Sequence, residues 1–201
     1  MNYIAKTALF VAMLSVGANV WAAGQHDDRP TAETATQDSV EGLMRSLGIS
    51  YITNDIQAAS FVVQDLTGAE FDLADFHGQF VFLNFWATWC PPCREEMPSM
   101  QVLHDELAAD GFTVVALNRE ETNATVQSFV DEFGYTYPIL LDRSGEVATN
   151  YAVRGMPTTY FIGPDGRILG RLIGIRHWDD EQTLATMRRI VALAATEANE
   201  S

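Results

Sequence analysis

The chain predicts an α/β domain: a mixed central sheet flanked by helices on both faces. Three observations carry that class. Nearly continuous apolar runs such as Phe80 to Trp86 suit strands covered on both sides. Between such runs lie stretches with apolar residues at helical spacing. The chain then closes with two strand-like segments around Pro164-Asp165-Gly166 and one more helical stretch, an order that fits a sheet with helices on both sides.

Taken in order, Met1 to Ala23 carries one positive charge at Lys6, an apolar stretch from Ala8 to Val16 and small residues through Ala22 and Ala23. This is the pattern of a secretory signal peptide over 1–22, cut after Ala22 with Val20 and Ala22 at the positions cleavage requires. As a membrane span it is too short and is interrupted by Ser15, Gly17 and Asn19. Residues 23–40 are polar, rich in Thr, Ala, Asp and Gln, and read as a flexible linker. Residues 41–196 have the size of one domain with one core, and 197–201 read as a tail.

Within the domain, Phe61-Val62-Val63 and Phe71-Asp72-Leu73 flank the turn-bearing Asp65-Leu66-Thr67-Gly68 and predict an N-terminal β-hairpin. Phe80 to Trp86 is the first buried strand. From Pro91 to Ala109, Met97, Met100, Leu103 and Leu107 recur at helical spacing, with Pro98 expected to kink the helix. Gly111 stops that helix, and Thr113 to Leu117 is a second buried strand. Val126, Phe129, Val130 and Phe133 mark an amphipathic helix ended by Gly134. Tyr137 to Leu141 predicts a strand and Gly145 to Tyr151 a short helix. Thr158 to Ile162 and Arg167 to Gly174 form the closing hairpin, and a helix from about Asp179 buries Leu184, Met187 and Val191.

The net charge of −15, from 12 Lys+Arg against 27 Asp+Glu, speaks against nucleic acid or anionic lipid as partner, since both need basic patches. Chemistry concentrates in the only two cysteines, Cys90 and Cys93, at the junction of the first buried strand and the following helix. A cysteine at a helix N-terminus faces unsatisfied N–H groups and the positive end of the helix dipole, which stabilises its thiolate. Other uses of such a pair remain open at this point. A structural zinc site wants four Cys/His ligands, while His26, His77, His104 and His177 are scattered singly. A structural staple closing so short a loop removes little chain entropy. Copper(I) takes paired thiolates, with His177 as a conceivable third ligand.

The run Asn84-Phe85-Trp86-Ala87-Thr88-Trp89-Cys90-Pro91-Pro92-Cys93-Arg94-Glu95-Glu96-Met97-Pro98, with Gly155-Met156-Pro157-Thr158 and the terminal hairpin and helix, resembles the thioredoxin fold and, more narrowly, the TlpA/ResA/CcmG (DsbE) group of exported disulfide reductases. The likeness covers roughly 59–191, and residues 121–152 match the helix-strand element which that group inserts into the basic fold. It implies a redox-active disulfide between Cys90 as nucleophile and Cys93 as resolving thiol, and Glu96 as an acid/base group that tunes the thiols. It also implies that Pro157 is cis after Met156 and that Met156, Pro157 and Trp89 form the substrate-contacting surface. Asn84 stands where thioredoxins proper keep a buried aspartate, which moves the acid/base role toward Glu96.

The function implied is that of an exported, periplasmic thiol-disulfide oxidoreductase acting as a protein-disulfide reductase, without cofactor or metal. Its substrates would be disulfides of apocytochrome c or of copper-site assembly proteins, and a membrane-embedded thiol-disulfide electron donor would re-reduce the pair. The alternatives are a copper-binding assembly protein, a protein-disulfide oxidase and a thiol peroxidase.

Overall fold

The computed structural model describes residues 38–200, so the expected leader and residues 23–37 of the expected linker lie outside the described residues. Along the chain run α1 (Val40–Ser46), β1 (Ser50–Tyr51), β2 (Val62–Asp65), β3 (Glu70–Asp72), β4 (Phe80–Trp86), α2 (Pro91–Leu107), β5 (Phe112–Arg119), α3 (Asn123–Phe133), β6 (Ile139–Asp142), α4 (Glu146–Asn150), β7 (Thr158–Ile162), β8 (Ile168–Ile173) and α5 (Glu181–Asn199), with 3-10 turns at Leu73–Phe76 and Ala108–Asp110. The eight strands form one sheet in the order β1-β8-β7-β4-β5-β6-β2-β3. β4, β5 and β6 are parallel, and all other neighbours are antiparallel.

Every residue of β4 is buried, because alternate side chains enter two separate cores. Phe80, Phe82 and Trp86 join the core shared with α1, α2, α3 and α5. Val81, Leu83 and Phe85 join the core beneath α4 and the first 3-10 turn. The four apolar positions expected on α2, Met97, Met100, Leu103 and Leu107, are all fully buried. α2 runs unbroken through Pro98, which lies on the exposed face of the helix. α3 starts on the side chain of Thr122, which accepts from the Thr125 N–H, and ends at Gly134 with φ +72, a left-handed conformation that glycine adopts without strain.

Several boundaries differ from the sequence reading. Val40, inside the stretch read as linker, is buried and opens α1, whose Val40, Leu43 and Met44, with Leu47 just after the helix, join the core that α5 also lines. At two turns, α1 is too short for its periodicity to stand out. α5 continues through Asn199, past residue 196, along an alanine-rich stretch that favours helix. β6 begins at Ile139 rather than Tyr137, since Pro138 has no N–H to give a ladder. α4 has no side chain at its N-cap Gly145; Asp142, buried at the end of β6, accepts from the Val147 and Ala148 N–H groups instead.

Candidate active site

Sheet register brings four chain segments to one end of the fold. β4 leaves the sheet toward Cys90, and its parallel neighbour β5 leaves at the same end, with Trp86 opposite Asn118. The antiparallel β7 enters there from Met156-Pro157, with Thr158 opposite Phe85. β8 leaves there in turn, with Ile173 opposite Thr158 and the Gly174 N–H donating to the Pro157 carbonyl at 2.9 Å. Segments far apart in sequence therefore meet around the head of α2, at the carboxyl ends of the parallel strands, where open α/β sheets place their ligand sites.

Cys90 is the N-cap of α2 in extended conformation, and the Cys93 N–H donates to its Sγ at 3.3 Å. Pro91 at the first helical position loses no hydrogen bond there. The two sulfurs are joined in a disulfide, with Cα atoms 5.3 Å apart. Both cysteines are buried; Cys90, at 4% exposure against 1% for Cys93, is more exposed by a margin smaller than a helix-mouth position suggests. Trp89 beside them is 67% exposed, which is unusual for so large an apolar side chain.

Glu96 lies one turn beyond Cys93 on α2 and has no exposed surface. Its Oε1 accepts from the Trp178 indole N–H at 2.8 Å and from the Arg176 backbone N–H at 3.3 Å. Its Oε2 accepts from Asn84 Nδ2 at 3.4 Å, and that amide also donates to Thr159 Oγ1 at 2.9 Å. All the partners are donors, an arrangement suited to the anion, whereas burial favours the neutral acid. Burial prevails, and the carboxyl is pushed up from 4.5 to about 7, with the hydrogen bonds from Trp178, Arg176 and Asn84 pulling the other way. Such a group can take up or release a proton at neutral pH beside a thiol pair.

Among the residues singled out in the sequence, Cys90, Cys93, Glu96 and Asn84 come together with the segment that carries Pro157. The Met156-Pro157 bond is cis. His177, the conceivable copper ligand, is exposed, with Nε2 3.5 Å from Glu95 Oε1. Among the described residues no group of three or more His, Cys, Asp or Glu is placed to hold a metal ion.

Two features of the site escaped the sequence reading. Trp178 is fully buried, packs edge-on against Phe82 with centroids 5.0 Å apart, and lies under the Arg176 guanidinium. A buried indole N–H requires an acceptor, which is the signal that could have paired it with a buried carboxyl. Glu121, in the loop after β5, braces the strand-to-helix turn: it accepts from the Thr88 N–H at 2.7 Å, the Thr88 hydroxyl at 2.5 Å and Asn118 Nδ2 at 2.7 Å. Nothing in the local sequence marks that contact, which spans 33 residues.

Residues 55–170, more than half of the chain, match the model of the AhpC/TSA family. The thiol-disulfide oxidoreductase ResA of Bacillus thuringiensis subsp. konkukian is 40% identical over 118 residues, covering 59% of this chain and 68% of that protein. ResA of Halalkalibacterium halodurans is 43% identical over 113 residues, covering 56% and 64%. Among solved structures, a Chlorobium tepidum protein assigned as a thiol:disulfide interchange protein DsbE superposes with a TM-score of 0.63 at 31% identity, over 71% of this chain and 99% of that one. StoA from Bacillus subtilis does so with a TM-score of 0.55 at 26% identity, over 66% and 96%. The chain thus belongs to the AhpC/TSA family, as a thioredoxin-like thiol-disulfide oxidoreductase of the TlpA/ResA/CcmG type.

Proposed function

We propose that this oxidoreductase works in the reducing direction on disulfides of partner proteins outside the cytoplasm. The observation that carries the direction is Glu96, buried on the same helix face as Cys93 and titrating at about 7. A carboxylate beside a thiol pair raises the thiol pKa values and so disfavours the dithiolate. Strong oxidants gain their potential by stabilising the reduced form, so the opposite bias makes the pair a reductant.

In the proposed reaction the Cys90 thiolate attacks one sulfur of the substrate disulfide. The S–S bond breaks, a mixed disulfide forms, and the departing substrate thiolate takes a proton. Cys93, deprotonated with Glu96 as acceptor, then attacks Cys90 Sγ, releasing the second substrate thiol and closing the Cys90–Cys93 disulfide. Two electrons pass from the cysteine pair to the substrate. Trp89, Met156 and Pro157 form the proposed contact surface, with the Met156 backbone, which precedes the cis-proline, as the group that pairs with an extended substrate. A membrane-embedded thiol-disulfide donor returns the electrons. Apocytochrome c and copper-site assembly proteins are the proposed substrates, and the leader-like pattern at 1–22 supports a periplasmic site. Among the described residues no helix is long and apolar enough to cross a membrane.

Insulin disulfide reduction tests the mechanism. Cys90→Ser should abolish turnover, and Cys93→Ser should accumulate a mixed disulfide on Cys90 that mass spectrometry identifies. Undiminished reduction by Cys90→Ser refutes the reading, and a reduction potential near that of strong oxidants reverses the direction.

A further inference from the structure

The Met156-Pro157 loop opens on one side into a groove of ≈ 540 Å³ lined by Ala152, Arg154, Gly155, Thr158, Arg171 and Ile173. The groove adjoins that loop: Gly155 and Thr158, which flank Met156-Pro157 in the chain, both line it, and Thr158 pairs with Ile173 across the β7–β8 ladder. Its two cations are notable in so acidic a chain. Neither Arg154 nor Arg171 makes an ion pair among the described residues, and of the arginines without one these two line the groove.

The third feature is an open strand edge. β1 pairs with β8 only at Ser50↔Arg171 and Tyr51↔Gly170, so the outer side of Leu172 and Ile173 has no strand partner among the described residues. Ile173 is 63% exposed and Ile175 39%, both large apolar side chains beyond the end of that cover. An unpaired strand edge is a template for an extended peptide, apolar side chains give such a peptide something to bury against, and guanidinium groups fix carboxylates in bidentate geometry.

We propose that this groove selects partner polypeptides that carry acidic residues in an extended segment next to the disulfide being exchanged, with Arg154 and Arg171 receiving the carboxylates and Ile173 the apolar flank. This deepens the reductase reading and rests on it, adding a substrate preference that the redox chemistry does not contain. The chain's overall negative charge does not forbid such a partner. The groove's lining carries two arginines and no carboxylate, and at physiological ionic strength charges farther away than about 8 Å are largely screened.

The experiment compares two synthetic peptides with the same internal disulfide, one flanked by Asp and one by Lys, at about 50 mM and about 500 mM salt. The readout is the ratio of kcat/KM for the two peptides within each protein, which cancels any loss of folded or basal activity. Wild type should prefer the Asp-flanked peptide by about fivefold at low salt, the scale of two surface ion pairs, and less at high salt. Arg154→Gln/Arg171→Gln should bring the ratio to about one, and Arg154→Glu/Arg171→Glu should invert it, which misfolding cannot do. Equal rates for the two peptides in wild type, or a preference that survives charge reversal, overturns the groove assignment alone. A wild type that reduces neither peptide nor a small uncharged disulfide overturns the reductase reading and this inference together.

Discussion

Replacing Glu96 with glutamine should make the protein's stability respond to pH in a way fixed by the burial of that one carboxyl. In the folded protein Glu96 titrates at about 7, against 4.5 in an open chain. Between those values the folded state holds a proton that the unfolded state has released, so this group's contribution weakens as pH rises. It is fully present below 4.5 and is lost as pH climbs through about 7. A gap of that size, at 1.36 kcal/mol per pH unit, corresponds to about 3 kcal/mol. Glutamine never titrates and lacks the dependence. The stability of Glu96→Gln minus that of wild type should therefore rise by about 3 kcal/mol from about pH 4 to about pH 8, most of it between 4.5 and 7.

The difference is the right observable because every other titrating group is common to both proteins and cancels. The glutamine oxygen can still accept from Trp178 and Arg176, which leaves its NH2 facing the Asn84 donor and lowers the variant's stability by an amount that does not depend on pH. Urea unfolding of the two oxidised proteins, with the Cys90–Cys93 disulfide intact, at half-unit steps of pH gives the curve directly. A flat difference would mean that Glu96 is solvated or already ionised throughout. A difference that falls with pH would mean that the three donors outweigh burial and hold the carboxyl below its ordinary value.

Two further perturbations address the surroundings of the pair. Trp178→Phe keeps the aromatic packing and removes the indole donor to Glu96, so the anion loses one hydrogen bond and the inflection that Glu96 itself contributes to the pH profile of mixed-disulfide resolution should move up by about 1 to 2 pH units; a profile superimposable on wild type would show that the indole has no hold on the carboxyl. Glu121→Ala leaves the Thr88 N–H, the Thr88 hydroxyl and the Asn118 amide without their acceptor and should cost about 1 to 3 kcal/mol in urea unfolding, less where water reaches the vacated space; an unchanged midpoint would refute the brace.

Most of the architecture was legible because it rests on local signals. β4 was readable from its nearly continuous apolar run, α2 from the spacing of Met97, Met100, Leu103 and Leu107, and the closing hairpin from Pro164-Asp165-Gly166. Elements without a local signal were missed or misplaced. α1 spans seven residues and earns its place only by packing into the core that α5 lines, and the far end of α5 carries no stop signal before Asn199. The cysteine pair and Glu96 were legible for a different reason, since both lie within one short motif whose spacing on a helix carries chemistry of its own.

What could not be read was the environment that gives Glu96 its character. A glutamate one turn past a cysteine could equally be solvated, in which case it would be ionised at every working pH and could exchange no proton near neutrality. Its burial depends on Trp178 and Arg176, which lie 82 and 80 residues away and reach it only because β8 delivers them to the same end of the sheet. That delivery is secured where the Gly174 N–H donates to the Pro157 carbonyl, just before the chain turns toward Arg176. The Met156-Pro157 loop, which by resemblance is a substrate contact, is therefore also the anchor of the segment that sets the carboxyl's protonation. The proposed substrate surface and the segment that holds the carboxyl thus share one backbone carbonyl, so a change that loosens this loop should disturb binding and the pH profile together, whereas Trp178→Phe should move the pH profile alone.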